Sequence, residues 1–281
     1  ARKHQWKALA IGLRRNAPHL TMVPYQSLAL TALREGALHE ALDHAHRALS
    51  ASSSPRLRGF RSMLLWTLGV IQWRLGLVEA EATADRAVVE ARFMGHVYPL
   101  LLAHQLRADL ARTGGQFELA RTHYAACLEV VDGSPRVFGL LGFAQLEDEM
   151  GDPHVADLHL EEALATVGDE ADPGFHILAN LLATQFALRR RQAERARVHL
   201  GRLDVLGSKV HEINDRVQVL ALRAWEAHLD GRSDDAVQAW ADATALAPSA
   251  DVRLADWMTE VERTLAAPGP GPGSGPTTPV R

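Results

Sequence analysis

Apolar and small side chains return every three or four positions along most of this chain, in stretches long enough for helices, and the stretches come in pairs. The second stretch of each pair carries three small or apolar residues at fixed distances from a turn. After Gly36 they are Ala41, Ala45 and Ala48; after Gly115, Ala120, Tyr124 and Cys127; after Gly151, Ala156, Leu160 and Ala163; after Gly231, Ala236, Trp240 and Ala243. Offsets of five, nine and twelve place the three on one helical stripe, where small residues allow close approach of a neighbouring helix. The second copy is one residue shorter across its turn, with Gly76, Ala80, Ala84 and Ala87. The fifth has Arg191 in place of glycine but keeps Ala196, Leu200 and Leu203. Turns therefore fall at 36, 76, 115, 151, 191 and 231, a period of 36 to 40 residues.

Seven residues before each turn the first helix has its own small position: Ala29, Gly69, Ala108, Ala144, Thr184 and Ala224. Prolines 24, 55, 99, 135, 153, 173 and 248 are expected between helices or in first turns, none in a helix interior. Strand-type alternation is missing, and Val130-Val131-Asp132-Gly133 reads as a helix end. The expected fold is all-α, six helical hairpins stacked in sequence, with contacts running only between adjacent hairpins.

These residues resemble the tetratricopeptide repeat family. The sixth copy carries its pattern most fully, in Ala224, Gly231, Ala236, Trp240, Ala243 and Pro248, and the likeness covers residues 22–248. It implies a right-handed α-α superhelix. The family's period is about 34 residues, and the longer period here is similar to that of regulatory domains in large bacterial transcriptional activators. Those are the LuxR-type ATPase class and the winged-helix class with a bacterial transcriptional activation domain. Longer first helices, such as one over 209–230, would account for the added length.

The ends read differently. Residues 1–20 hold a leading helix, the remnant of a preceding repeat. Residues 249–266 form a cap helix with Ser249 or Asp251 as N-cap and Leu254, Trp257, Met258, Val261 and Leu265 as its buried stripe. Residues 267–281 alternate proline and glycine and read as a flexible tail, dispensable for folding. The chain opens on Ala1 rather than methionine, which reads as a fragment or processed product missing a further domain.

Lys and Arg total 30 against 34 Asp and Glu, so no excess of positive charge is present to hold nucleic acid or an anionic membrane. One cysteine, Cys127, excludes an internal disulfide. No apolar run is long enough to span a bilayer and no signal core opens the chain, so a cytoplasmic protein is expected.

Chemistry-bearing motifs are few. No phosphate-cradling glycine loop, dinucleotide fingerprint or nucleophile elbow occurs. His39, Asp43 and His46, at i, i+4 and i+7, share one helix face and read as a solvated face rather than a metal site; His39 and His44 are five residues apart, which puts the two imidazoles about 140° apart on a helix and defeats chelation of one ion. Cys127 occupies a small-residue position and reads as a packed thiol. Arg189-Arg190-Arg191, continued by Arg195, Arg197 and Arg202, reads either as an anion site or as an exposed turn. No cofactor, metal or catalytic residue is expected, and the chain is read as a non-enzyme.

The resemblance implies a concave surface lined by the first helices. Carried over, its lining gives Trp66, Trp73 and Arg74 from the second repeat, Gln105, Asp109 and Arg112 from the third, and Gln145 and Asp148 with Glu149 from the fourth. The fifth gives Gln185 and Arg189, and the sixth Trp225. Trp66 and Trp73 are seven residues apart, about 10 Å along one side of a helix, and Gln105, Gln145 and Gln185 recur every 40 residues. The tryptophans read equally as groove lining or as plugs between repeats. The expected partner is another protein, a peptide or a small-molecule effector, with no direct nucleic-acid or membrane binding. The expected role is a regulatory or sensor domain of a bacterial transcription or signalling regulator. A stand-alone chaperone or assembly adaptor is the alternative, and an adjoining winged helix or helix-turn-helix would separate the two.

Overall fold

The computed structural model describes residues 2–54, 57–168 and 171–266, which form fourteen α-helices. Helix α1 (Arg2–Arg14) leads into consecutive antiparallel pairs: α2 (Pro18–Arg34) with α3 (Leu38–Ala51), α4 (Arg58–Arg74) with α5 (Ala80–Met94), and α6 (Val97–Thr113) with α7 (Phe117–Val130). Then follow α8 (Val137–Met150) with α9 (Pro153–Thr166), α10 (Pro173–Arg189) with α11 (Ala193–Leu206), and α12 (Ile213–Leu229) with α13 (Ser233–Leu246). Helix α14 (Val252–Ala266) closes the described chain. The expected tail over 267–281, and Pro55, lie outside the described residues.

One backbone device makes every hairpin turn. Gly36, Gly76, Gly115, Gly151 and Gly231 have φ between 70° and 87°, and Arg191 takes the same left-handed conformation at φ 56°. The next residue then returns its N–H to the carbonyl five positions back, as in Ala37 to Ala32, Gln116 to Ala111 and Gln192 to Ala187, at 2.8–2.9 Å. This closes the first helix and turns the chain into the second. Glycine adopts the conformation without a Cβ penalty, whereas Arg191 bears it.

The helices fall into two compact units: residues 2–179 with 250–253, and residues 180–249 with 254–266. In the first unit each first helix touches the first helix of the next hairpin, α2 on α4, α4 on α6 and α6 on α8. Each second helix packs on the following first helix, α3 on α4, α5 on α6 and α7 on α8. The small stripes make this possible. Ala41, Ala45, Ala48, Ala80, Ala84, Ala87, Ala120, Tyr124, Cys127, Ala156, Leu160 and Ala163 are all buried, as are Ala29, Gly69, Ala108 and Ala144 opposite them. A Cβ on Gly69 would lie 2.7 Å from Leu106 Cδ2, so that the leucine would have to shift to accept one. In the second unit Ala196, Leu200, Leu203, Ala236 and Ala243 are buried and Trp240 is half-buried.

Three expectations are corrected. Pro24 lies inside α2, where it cannot donate to the carbonyl of Leu20. Helix α12 starts at Ile213 after a short 3-10 turn over Gly207–Lys209, and at 17 residues it matches α2, α4, α6 and α10. Helix α8, with 14 residues, is the exception, and it stands in the shortest period, from 115 to 151. Finally, contacts are not confined to adjacent hairpins. In the first unit Arg74 is ion-paired with Asp251, 177 residues away.

Candidate functional site

In the first unit the central and C-terminal turns of α4, α6 and α8 are covered almost completely. Between Ser62 and Arg74 of α4, only Met63, Trp66, Val70 and Trp73 keep appreciable exposure. Between Leu101 and Arg112 of α6, only Gln105, Asp109 and Arg112 do; between Val137 and Asp148 of α8, only Phe138, Gln145 and Asp148. Spacings of three, four and seven make each set one stripe. In the second unit the described end of α10 repeats the pattern with Gln185 and Arg189. Nine of the twelve nominated residues lie on these stripes, and Glu149 is exposed one residue beyond Asp148. Arg74 and Trp225 do not: both are buried, at 8% and 4% exposure. One residue of register turns a helical side chain by about 100°, so Arg74 points away from the stripe that carries Trp73.

What the stripe residues touch differs along the first unit. Trp66, Val70 and Trp73 are half-buried against a cluster of Ala80, Ala84, Leu106 and Leu110, which plugs the junction of the second and third hairpins. The Trp73 indole Nε1 has no hydrogen-bond partner among the described residues. Asp109 Oδ1 accepts the hydroxyl proton of Tyr124 at 2.5 Å, and Arg112 Nε donates to the same hydroxyl oxygen at 3.2 Å. Arg112 Nη1 also pairs with Glu149 on the next first helix. Burial pushes the Asp109 carboxyl upward, against the pull of Arg112 and Tyr124. Tyr124 is itself fully buried, and its ring fills the space beside Gly142, where a Cβ would come within 2.1 Å.

In the second unit, Gln185 Oε1, with its amide oriented toward the two donors, accepts from Arg189 Nη2 at 3.0 Å and Trp257 Nε1 at 3.2 Å. Arg189 pairs with Glu260 at 2.7 Å. Helix α14 therefore lies on the α10 stripe. Of the five residues expected to face inward on α14, Leu254, Met258 and Val261 are buried and Trp257 and Leu265 are half-buried. The arginine run is partly engaged. Arg190 stacks on Phe186 with 4.9 Å to the ring centroid, and Arg197 reaches Glu194, Glu226 and Asp230 at 2.6 Å each. Arg197, Arg223, Glu226, Arg232 and Asp235 line a cavity of about 350 Å³ between α11, α12 and α13, where the buried Glu226 carboxylate is held by Arg197 and Arg232.

Sequence reasoning missed a recurring histidine. Eight residues after the turn, the second helix carries His44, His123, His159 and His199 in the first, third, fourth and fifth hairpins. His123 Nδ1 meets His104 Nδ1 at 2.8 Å across the third hairpin, and His199 Nδ1 meets Asn180 Oδ1 at 2.9 Å across the fifth. Burial pulls His104 and His199 each down to about 4. His44 packs edge-on against Trp6, and His159 stacks on Phe143. The repeat of the residue type at one offset was a legible signal.

Other candidates resolve simply. Asp43 pairs with Arg47 on its own helix, and among the described residues no group of three or more His, Cys, Asp or Glu is placed to hold a metal ion. Cys127 is fully buried, its thiol pushed up by desolvation. Among the described residues no helix is long and apolar enough to cross a membrane. No protein-family model matches this chain, and no curated protein matches it.

Proposed function

We propose that this chain is a non-enzymatic binding scaffold whose first-helix stripes receive a peptide or protein segment, as the regulatory or sensor domain of a bacterial transcription or signalling regulator. The observation that carries this reading is the stripe itself. Helices α4, α6 and α8, otherwise buried through their central turns, keep one half-exposed line of aromatic, amide and charged side chains, from Met63 and Trp66 through Gln105 to Gln145 and Asp148. Amide groups bind both donors and acceptors of an extended backbone, and half-buried aromatics supply apolar anchors. In this reading the hairpins form a right-handed, tetratricopeptide-type superhelix, and the protein acts in the cytoplasm. The binding partner in this reading is a protein or peptide, with neither nucleic acid nor membrane engaged directly.

Photo-crosslinking tests it. A benzophenone side chain placed at Gln105 or Gln145 should capture one discrete partner from the native cell, and one at Glu118 or Glu161 on the second helices should not. Equal capture from both faces, or none from the stripe, would remove the reading.

A further inference from the structure

Residues Ala250–Arg253, between α13 and α14, belong to the first unit and sit on the C-terminal ends of α2 and α4. Asp251 is fully buried and divides its oxygens: Oδ1 accepts the Arg253 N–H at 3.1 Å, and Oδ2 accepts from Arg74 Nε at 2.6 Å. Arg74 Nη1 reaches the Leu33 carbonyl at 3.5 Å, while Nη2 has no hydrogen-bond partner among the described residues. Arg253 Nε donates to the Trp73 carbonyl at 3.4 Å, in the last turn of α4. Gly76 makes the seat for Val252: a Cβ there would lie 3.0 Å from Val252 Cγ2. Ala250 packs on the cluster of Ala29, Leu33, Leu38 and Ile71.

Each side chain of the segment thus meets a different chemistry: an apolar floor, a buried guanidinium, a glycine seat and a helix-end carbonyl. A guanidinium this buried requires an anion, and its fork geometry selects a carboxylate. The segment is only four residues long, and it is held to its site by being part of the same chain, which raises its local concentration. An external peptide with the same side chains meets the same partners. We propose that the ends of α2 and α4 form a recognition pocket for a peptide of the order small residue, aspartate, β-branched residue, arginine, occupied here by the chain's own Ala250–Arg253. The proposal rests on the peptide-binding reading for its biological sense alone; of the stripe residues only Trp73 enters, through its backbone carbonyl as acceptor and its indole as reporter.

The test uses the full chain carrying Asp251→Ala. Its thermal midpoint should fall below that of the native chain and rise again in acetate, compared with chloride at equal ionic strength. Titrated with acetyl-Ala-Asp-Val-Arg-Leu-amide, it should show a saturable change in tryptophan emission, because Trp73 borders the pocket. The Asn-for-Asp peptide, and the Arg74→Met/Asp251→Ala double variant, should bind at least tenfold more weakly. A response to acetate without a response to the peptide would overturn the proposal, leaving a structural ion pair. No response to either would overturn it too. Should Asp251→Ala not fold, the native chain is read instead by hydrogen exchange. Excess peptide should speed exchange at Val252 and Arg253, and unchanged rates contradict the pocket. If the peptide binds but the stripe crosslinks nothing, only the earlier reading fails.

Discussion

Acid should destabilise this protein through buried histidines, His104 and His199 most strongly, with His123 lowered by burial in the same direction. His104 is 4% exposed, hydrogen-bonded to His123, and held down to about 4 by burial, then by the charges of His123 and Arg92. In the unfolded chain the same imidazole titrates near 6.5. A base with a depressed native value binds its proton only when unfolded in the interval between the two. Its contribution is therefore complete above about 6.5 and is lost as pH falls toward 4. Between pH 7 and 5 the unfolded histidine is about 1.5 pH units past its titration, worth about 2 kcal/mol. His199, 6% exposed and also near 4, adds about the same by the same reasoning. Asp109, pushed up by burial, works in the opposite direction, since a carboxyl raised in the native state gains stability as it protonates. Urea unfolding at pH 7 and pH 5 measures the sum, and His104→Gln should abolish about 2 kcal/mol of the difference whatever it does at pH 7. A native chain equally stable at both values, or a His104→Gln variant with undiminished acid sensitivity, refutes the argument.

Three further outcomes follow from the packing. Arg191→Gly should stabilise by about 1 kcal/mol in thermal or urea unfolding, because a non-glycine residue is relieved of a left-handed conformation; Gly36→Ala should cost a similar amount. Gly142→Ala should lower stability by about 1–3 kcal/mol, since its Cβ would overlap the Tyr124 ring, and a neutral result would mean the ring has room to move. Tyr124→Phe should cost about 1–3 kcal/mol by leaving Asp109 and Arg112 without their shared hydroxyl, measured by urea unfolding.

Much of this architecture was legible because the repeat forces the same physics six times. Glycine at the turn and alanine at five, nine and twelve residues beyond it mark a left-handed helix end and a close helix contact, and both appear at those positions. Arg191 shows why the turn was still readable without glycine: spacing located it, and the backbone there obeys the neighbours. Pro24 escaped because tertiary packing tolerates a lost hydrogen bond that local propensity forbids. The Arg74–Asp251 pair escaped for a different reason. Nothing local tells a sequence reader that a residue after the last hairpin returns to the end of the second, and the one-residue step from Trp73 to Arg74 moves a nominated side chain off the stripe. The His104–His123 and Asn180–His199 pairs lie 19 residues apart in both hairpins, a regularity open to a search for recurring polar positions rather than small ones.

The central claim is that the open line along the first helices is where a partner binds. Isothermal titration of the crosslinked partner against Gln105→Arg and Gln145→Arg, with Glu118→Arg and Glu161→Arg as second-helix controls, tests it most directly. The two stripe variants should bind at least tenfold more weakly, with helicity and melting unchanged, and both controls should keep native affinity. Native affinity in the stripe variants, or loss confined to the second-helix variants, would contradict it.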